Sequence, residues 1–485
     1  MPSISRVTFN DTHPQDMTAD EWIDDLEALF SMMRDNNPYI QLKERQLGYR
    51  WLDFFENYRK RIRNGKTIVD YLEVIFDAVQ ALQNGHAAII TPGWLNDFYE
   101  VEYYRTTAPF SEVFSEGLKD YYKYWEPIID EFLKERNYLN FDAEFWYSNG
   151  DYVIEAGYGK WKEKYGIHSR VVAVNGIPIH EAVRNCYEKG ILNWDFKREL
   201  FYLFRIQPRH FGPDAEFNLE TEAGERKNVV FNSGYEFPYS LTTVYPVLRL
   251  ETDVWPEKQA GYVRIGDFED SHADNDNKML MEFYKQIEDY KLLIIDVRGN
   301  QGGSYEPWMR NVIAPLAKTK LTSKMYLAFR SGKYVEMFRK VAEVGDIVPK
   351  DGFEKLPPEV MTNDFTIYDY TQTVDPSGVI NFKGKIVVLI DAITFSATDA
   401  FALFCKETGF AKLYGIPSGG DGISDSPIYY ILPNSKLLVR FTPGMGIDYT
   451  GEANEEVCVQ PDIYYESSFG NMTELVEFVL EQELG

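Results

Sequence analysis

Hydrophobic spacing divides the chain into three regimes. In the first hundred residues apolar positions recur at helical intervals. Trp22, Leu26, Leu29, Phe30 and Met33 share one face of a helix opened by Thr18 with Glu21 in a capping-box pattern. Leu72, Ile75, Val79 and Leu82 mark another, opened by Thr67 with Asp70 and ended by Gly85 as its C′ residue, with His86 just beyond. A helix is also predicted near Trp51–Ile62. Residues 95–143, rich in Tyr, Trp and acid, read as an irregular insertion with a helix near Tyr121–Glu135. From about residue 144 the spacing shortens to strands: Phe145–Tyr147, Tyr152–Ala156, Ser169–Val174, Phe217–Thr221 and Lys227–Phe231. A tight turn at Val174-Asn175-Gly176 and a short helix Ile179–Tyr187 complete this β-rich stretch. After a connector near Val244–Pro256 the pattern is strand Gly261–Ile265, helix Leu280–Tyr290 and buried strands Leu292–Asp296 and Ile386–Ile390. Alternation of this kind predicts a mainly parallel sheet. Residues 330–380 interrupt it with a polar, Pro-containing stretch long enough to read as a lid. The division expected is a helical domain 1–95, an insertion 96–143, a β-rich domain 144–245 and an α/β core 255–485.

Two segments of the core carry the candidate chemistry. LLIIDVRGNQGG, residues 292–303, is an apolar run that meets Asp296, Arg298, Asn300 and the pair Gly302–Gly303. Adjacent glycines let a backbone approach a substrate closely and point N–H groups into a site. The end of a buried strand is where α/β proteins place such sites. In IVVLIDAITFSATDAFALFCKETG, residues 386–409, a buried strand turns into Ser396, after which Ala397, Ala400, Phe401 and Phe404 follow at helical spacing. Ser396 thus stands at a helix N-terminus, either as an ordinary N-cap or as a nucleophile with backbone N–H groups beside its hydroxyl.

A nucleophilic serine needs a base, and the chain has six histidines: His13, His86, His168, His180, His210 and His272. His86, at the end of a well-patterned helix and before the apolar Ala87–Ile90, is the best placed. His272 lies in the polar run SHADND, whose spacing is weak as a metal motif. Two further stretches are polar and glycine-rich: GIPSGGDG at 415–422, before a hairpin of Ile428–Leu432 and Lys436–Phe441, and GEANEEVCVQPDI at 451–463 with Glu452, Glu455 and Glu456.

The net charge of −26 sets the chain against nucleic-acid phosphates and anionic membrane surfaces. Cys186, Cys405 and Cys458 are too few and too scattered for a disulfide framework or a CxxC metal site. The opening MPSISRVTFNDTH lacks a basic region followed by an apolar run, and no stretch of about eighteen apolar residues predicts a spanning helix. A soluble chain is expected; its compartment and oligomeric state are not encoded legibly.

Together the four segments resemble the tail-specific (C-terminal processing) and tricorn-core family of serine peptidases. The matching residues are Asp296-Val-Arg298-Gly-Asn300-Gln-Gly302-Gly303, then Ser396-Ala397-Thr398-Asp399 with Asp for the usual Glu, and Cys458-Val459-Gln460-Pro461-Asp462 with Cys for the usual Gly. More weakly, GIHSRVVAVNGIPIHEAV at 166–183 resembles a PDZ-like signature, with His168-Ser169 replacing Gly-Asp, and LQNGHAAI resembles the histidine segment of the tricorn-like branch. The resemblance implies a ClpP/crotonase-like ββα core, a PDZ-like domain and a peptide or protein substrate, with no metal or organic cofactor. It implies Ser396 as nucleophile, His86 as general base and Glu455 as its orienting acid, with Glu452 and Glu456 as competitors. Gly303, Gly302 and Ala397 would supply the oxyanion hole. The family's other branch uses a lysine about twenty-five residues after the serine; here that place holds Asp421, with Lys406 and Lys412 out of register. The counterpart of that branch's histidine-holding serine is not placed by the sequence; Gly85 precedes His86, so a direct Glu–His contact, a water or another hydroxyl would fill that part. Two other functions share the core: an acyl-CoA enzyme, or a protein that binds a peptide or hydrophobic ligand without turnover.

Overall fold

The computed structural model describes residues 13–138, 145–154, 169–212, 214–230, 249–468 and 471–485. It divides into two compact units. The first comprises Met1–Leu241, Arg330–Ala342 and Ser426–Pro443; the second comprises Thr242–Phe329, Glu343–Asp425 and Gly444–Gly485.

In the first unit, both predicted capping boxes form. Thr18 opens helix Ala19–Asn36 and Thr67 opens helix Ile68–Gln80, each by exchange with the residue three positions on. Leu26, Leu29, Met33, Leu72 and Ile75 are fully buried, as amphipathic spacing requires. The second helix ends at Gln80, five residues before Gly85. The hydroxyl of Tyr49 and the indole N–H of Trp51 donate to the carbonyls of Ala81 and Ala78, at 2.5 and 2.9 Å. Those side chains satisfy the helix end, so no glycine cap is needed. Residues 92–138 are not irregular but helical: Pro92–Glu100, Glu102–Thr106, Phe110–Val113 and Glu116–Tyr138. Their aromatic residues bury one another, as with Phe98 against Phe114 and Tyr104.

Ala88–Ile89 pairs antiparallel with Leu438–Phe441, which pairs with Ile428–Ile431. The turn of that hairpin is held by the buried carboxylate of Asp25, which accepts from the amides of Asn434 and Ser435 at 2.7 and 2.9 Å. The β-rich stretch is a seven-stranded antiparallel sheet, in the order Arg226–Val230, Glu216–Glu220, Arg170–Val174, Asp151–Ile154, Phe145–Ser148 and Arg205–Ile206, with Ile177–Pro178 added beside Arg170–Val174. Asn175 and Gly176 both take positive φ, the tight hairpin turn their sequence predicts. His168, and residues 155–156 of one expected strand, lie outside the described residues.

The second unit is an α/β layer. Its sheet runs β1 (Leu250–Trp255), β2 (Ala260–Ile265), β3 (Leu292–Asp296), β4 (Lys385–Ile390), β5 (Lys412–Gly415) and β6 (Ile463–Tyr464). Only the β1–β2 pairing is antiparallel. Much of the expected connector is therefore strand β1. Helix α1 (Ala273–Gln286) begins earlier than the apolar spacing predicts and takes in most of the SHADND run. Helices α2 (Ala397–Thr408) and α3 (Met472–Leu484) follow. Within 330–380, strand Phe365–Asp369 stands between Ile347–Val348 and Tyr326–Arg330 in a four-stranded sheet completed by Gly444–Ile447. Phe365 and Ile367 are buried on one face, so this part of the expected lid is built into a sheet.

Strand β3 ends in a buried ion pair. Arg298 Nη2 lies 2.6 Å from Asp296 Oδ2 and Nε lies 2.9 Å from Oδ1, while Tyr262 donates to Oδ2 at 2.8 Å. Burial would raise the Asp296 pKa, but the charge and hydrogen bonds of Arg298 outweigh it and hold the carboxyl below its ordinary value. Arg298 also donates to the carbonyl of Met472 at 2.8 Å, fixing the start of α3. Arg298→Met should cost about 3–5 kcal/mol in urea unfolding, because it strands a buried carboxylate, and removing Asp296 as well should recover much of that loss. A single variant as stable as the parent would contradict this.

Candidate active site

Strand β4 ends at Ile390, and Asp391 then organises the turn. Its Oδ1 accepts from the amides of Ile393 and Thr394, each at 3.0 Å, and from Gly299 of the neighbouring loop at 3.1 Å. The turn delivers Ser396 at φ +54°, ψ −130°, a conformation that a residue with a Cβ rarely adopts. The next residue begins α2. This strand–tight turn–helix elbow leaves Ser396 half-buried while Ala397, Thr398 and Asp399 are buried. A strained serine presented this way projects its hydroxyl from the end of a sheet beside the positive end of a helix.

Two glycines make room for it. Gly302 and Gly303 have φ of +116° and +135°. A Cβ on Gly302 would fall 2.8 Å from the Ser396 Cβ, and one on Gly303 would fall 2.3 Å from the Phe268 carbonyl. Neither position can carry a larger residue without moving backbone. The Gly302 amide already donates to Asn300 Oδ1 at 2.9 Å. Gly303, by contrast, is exposed.

Asn300 joins the two segments. Its Oδ1 also accepts from the Thr398 hydroxyl at 2.6 Å, its Nδ2 donates to the Ile265 carbonyl at 3.1 Å, and its own carbonyl accepts from the Phe395 amide at 3.1 Å. The side chain is fully buried.

The loop 418–422 closes over the other side of the elbow. The Ser396 amide donates to the Gly420 carbonyl at 3.2 Å, and the Gly419 amide to Thr394 at 2.8 Å. A Cβ on Gly422 would meet the Ala400 nitrogen at 2.4 Å. Tyr305 donates to the Gly422 carbonyl, tying the loop to the segment that follows the glycine pair. Beneath it, buried Asp399 accepts from the Ser418 hydroxyl and from Asn454 Nδ2, the latter at 2.8 Å. Asn454 Oδ1 accepts from the Gly422 amide at 2.7 Å. Asn454 opens the short helix Asn454–Val457, which carries Glu455. A Cβ on Gly420 would lie 3.5 Å from the Glu455 Cα. Glu452 is turned to other partners, Thr450 at 3.1 Å and Lys355 at 3.5 Å.

Asp296, Arg298, Asn300, Gly302, Gly303, Ser396, Ala397 and Glu455 therefore belong to one unit, and most are linked around one turn. His86 belongs to the first unit. It is buried, its amide donates to Asn84 Oδ1 at 3.1 Å, and it precedes strand Ala88–Ile89 by two residues. Other histidines have evident local roles. His13 caps a turn at the Gln15 amide at 3.2 Å, and His272 Nδ1 pairs with Asp267 at 3.0 Å. Half-buried His210 accepts from the Gln207 amide at 3.1 Å, and desolvation pushes its pKa down to about 3. His180 sits against the rings of Tyr147 and Tyr152. Ser418, Asn454 and Tyr305 are residues that motif reading passes over. Asp399 meets Ser418 and Asn454 from 19 and 55 positions away, with no periodicity to connect them. Among the described residues no group of three His, Cys, Asp or Glu side chains is arranged to hold a metal ion, and no helix is long and apolar enough to cross a membrane.

Residues 259–465 match the model of peptidase family S41. Among solved structures, the chain is similar to mature CPAF at 12% identity, covering 96% of this chain and 97% of that one with a TM-score of 0.55. It is similar to mature CPAF complexed with lactacystin at the same identity and coverage, with a TM-score of 0.54. The photosystem II D1 C-terminal processing protease matches at 14% identity over 97% of this chain and 98% of that one, with a TM-score of 0.42. At 12% identity the likeness to the two CPAF structures is one of fold. No curated protein sequence matches the chain.

Burial raises the Asp399 pKa to about 6, against the lowering effect of Ser418 and Asn454. An unfolded aspartate titrates near 3.9. Between those values the folded chain holds a proton that the unfolded chain has lost, so this group makes the fold less stable as pH rises through the window. Relative to Asp399→Asn, the parent should lose about 3 kcal/mol of unfolding free energy between pH 4 and pH 7, two pH units at about 1.4 kcal/mol each. Parallel stability–pH curves for the two proteins would show that Asp399 does not titrate in this range.

Proposed function

We propose that the chain, whose residues 259–465 match peptidase family S41, is a serine-type peptidase that hydrolyses peptide bonds through an acyl-enzyme on Ser396, with His86 as general base. The observation that carries the reading is the elbow. Ser396 takes a positive φ between a buried strand and a helix N-terminus, with Gly302 shaped to its Cβ. An ordinary N-cap serine has extended backbone angles and bonds to the amides of its own first turn. Ser396 has neither the backbone angles nor a side-chain cap bond. Strain held at a half-buried hydroxyl is what a presented nucleophile requires.

In the proposed cycle His86 takes the Ser396 proton as the oxygen attacks the scissile carbonyl. The Gly303 and Ala397 amides hold the oxyanion, while Gly302 contributes space, because its amide is committed to Asn300. His86 then protonates the leaving amine, water attacks the ester, and the acid is released. Two observations support His86 as the base: it is buried beside the buried polar residues Gln83 and Asn84, and it precedes strand Ala88–Ile89 by two residues, as in the histidine segment that the sequence resembles. Glu455 is the favoured orienting acid, since the helix carrying it is anchored through Asn454 to Asp399. The substrate is a peptide or protein segment.

A fluorophosphonate probe should label Ser396, and Ser396→Ala should abolish both labelling and peptide hydrolysis without changing the melting temperature. His86→Ala should lower kcat by roughly a thousandfold or more, and Glu455→Gln by about ten- to a hundredfold, with Glu452→Gln near the parent. Hydrolysis surviving in purified Ser396→Ala would end the acyl-enzyme reading.

A further inference from the structure

The segment that carries His86 has no regular structure between helix Ile68–Gln80 and strand Ala88–Ile89. Downstream, the chain is fixed two residues after His86 by pairing of Ala88 and Ile89 with Arg440 and Val439. Upstream, one fixing group is a side chain. Gln83 is 1% exposed and takes φ +55°, a left-handed conformation that is rare for a residue with a side chain. Its Nε2 lies 2.6 Å from the Tyr187 carbonyl and 2.7 Å from the Gly190 carbonyl, with a third, longer approach of 3.2 Å to the Gln80 carbonyl. Its Oε1 accepts from the Leu192 amide at 2.8 Å.

All three long-range partners lie in the stretch that leads from the short helix of the β-rich domain into its core. Leu192 and Cys186 are buried in that core with Phe145, Val171, Phe217 and Leu219. Tyr187 stacks on Phe54 with rings 5.2 Å apart and touches Tyr49 at 5.0 Å. Gln83 is thus hooked to a rigid frame more than a hundred residues away in sequence, and its backbone strain is offset by bonds that only an amide side chain of this length can make together. From Gln83 the chain reaches His86 in three residues, through Asn84, whose Oδ1 holds the His86 amide. Fixing the helix alone would not fix the imidazole, since the helix has already ended.

We propose that Gln83 is a positioning residue for the reaction: it sets the place of the His86 ring by locking the His86 segment to the β-rich domain. This rests on His86 acting as the base. An ångström of displacement at a catalytic group can cost about a hundredfold in rate without affecting how substrate binds. The amide is specifically required. A glutamate in its place would turn a carboxylate oxygen toward two carbonyls, and a methionine would leave those carbonyls and the Leu192 amide unsatisfied.

The test is steady-state peptide hydrolysis and the rate of fluorophosphonate labelling at Ser396 in the full chain, with Gln83→Glu, Gln83→Met and His86→Ala compared with the parent and each melting transition recorded. Both Gln83 variants should lower kcat and the labelling rate by about ten- to a hundredfold, with KM within about twofold and the melting transition retained. If His86→Ala is inactive while a folded Gln83 variant keeps the parent kcat, the positioning role is overturned and the base assignment stands. If His86→Ala keeps the parent kcat, the base assignment itself fails, and the inference with it. If kcat falls only in step with loss of the melting transition in both Gln83 variants, Gln83 serves the fold and not the site.

Discussion

The side chain of Asn300 is the constraint on which the candidate site depends. One buried amide satisfies an amide of the glycine loop, the first-turn hydroxyl of α2 and the carbonyl that ends β2, while its backbone carbonyl takes the Phe395 amide. These bonds hold Ser396 in a backbone conformation that costs of order 1–3 kcal/mol in isolation. They also settle a division of labour between two adjacent glycines. The amide of Gly302 is consumed by Asn300, so its value is the absence of a Cβ beside Ser396. Gly303 is exposed, and on the proposed reading its amide is the one that faces the substrate. Asp296 and Arg298 stand behind this arrangement. Their ion pair stiffens the end of β3, from which the whole loop departs.

A second network braces the elbow from the opposite side. Asp399, Ser418 and Asn454 link the first turn of α2, the glycine loop and the short helix that carries Glu455. A carboxyl group buried this completely is expensive when charged, which is why its pKa rises despite two side-chain donors. An aspartate has a shorter reach than a glutamate would have. Here Asn454 and Ser418 come to it. The site therefore depends on polar groups contributed by segments far apart in sequence, each satisfied by the others, and a change at one propagates to the rest.

Much of this arrangement was legible in the chain. The apolar runs ending at Asp296 and Ile390 mark buried strands because parallel strands covered on both faces need continuous hydrophobic sequence. The 3.6-residue spacing after Ser396 marks a helix. What pattern could not reveal was set by tertiary bonds. The helix before His86 stops at Gln80 because Tyr49 and Trp51 take its last carbonyls. Helix α1 takes in most of SHADND, although few of those residues face the core. The stretch 330–380 reads as a loop because its strands are short and flanked by polar residues. The positive φ of Ser396 leaves no mark in composition, since serine is usual at helix starts of any kind.

The same logic explains why the two candidate catalytic groups are held so differently. Ser396 is fixed locally, by neighbours in one turn and by a glycine that admits no alternative. His86 lies on a segment without a ladder or helix of its own, so its place is borrowed from what the segment is tied to: a strand on one side, and Gln83 with the β-rich domain on the other. A nucleophile must be strained and rigid to be presented. A base must only arrive at the correct distance, and a tether to a separate folded body can set that distance. On the proposed reading of His86 as the base, the β-rich domain helps to place that residue without having to touch the substrate.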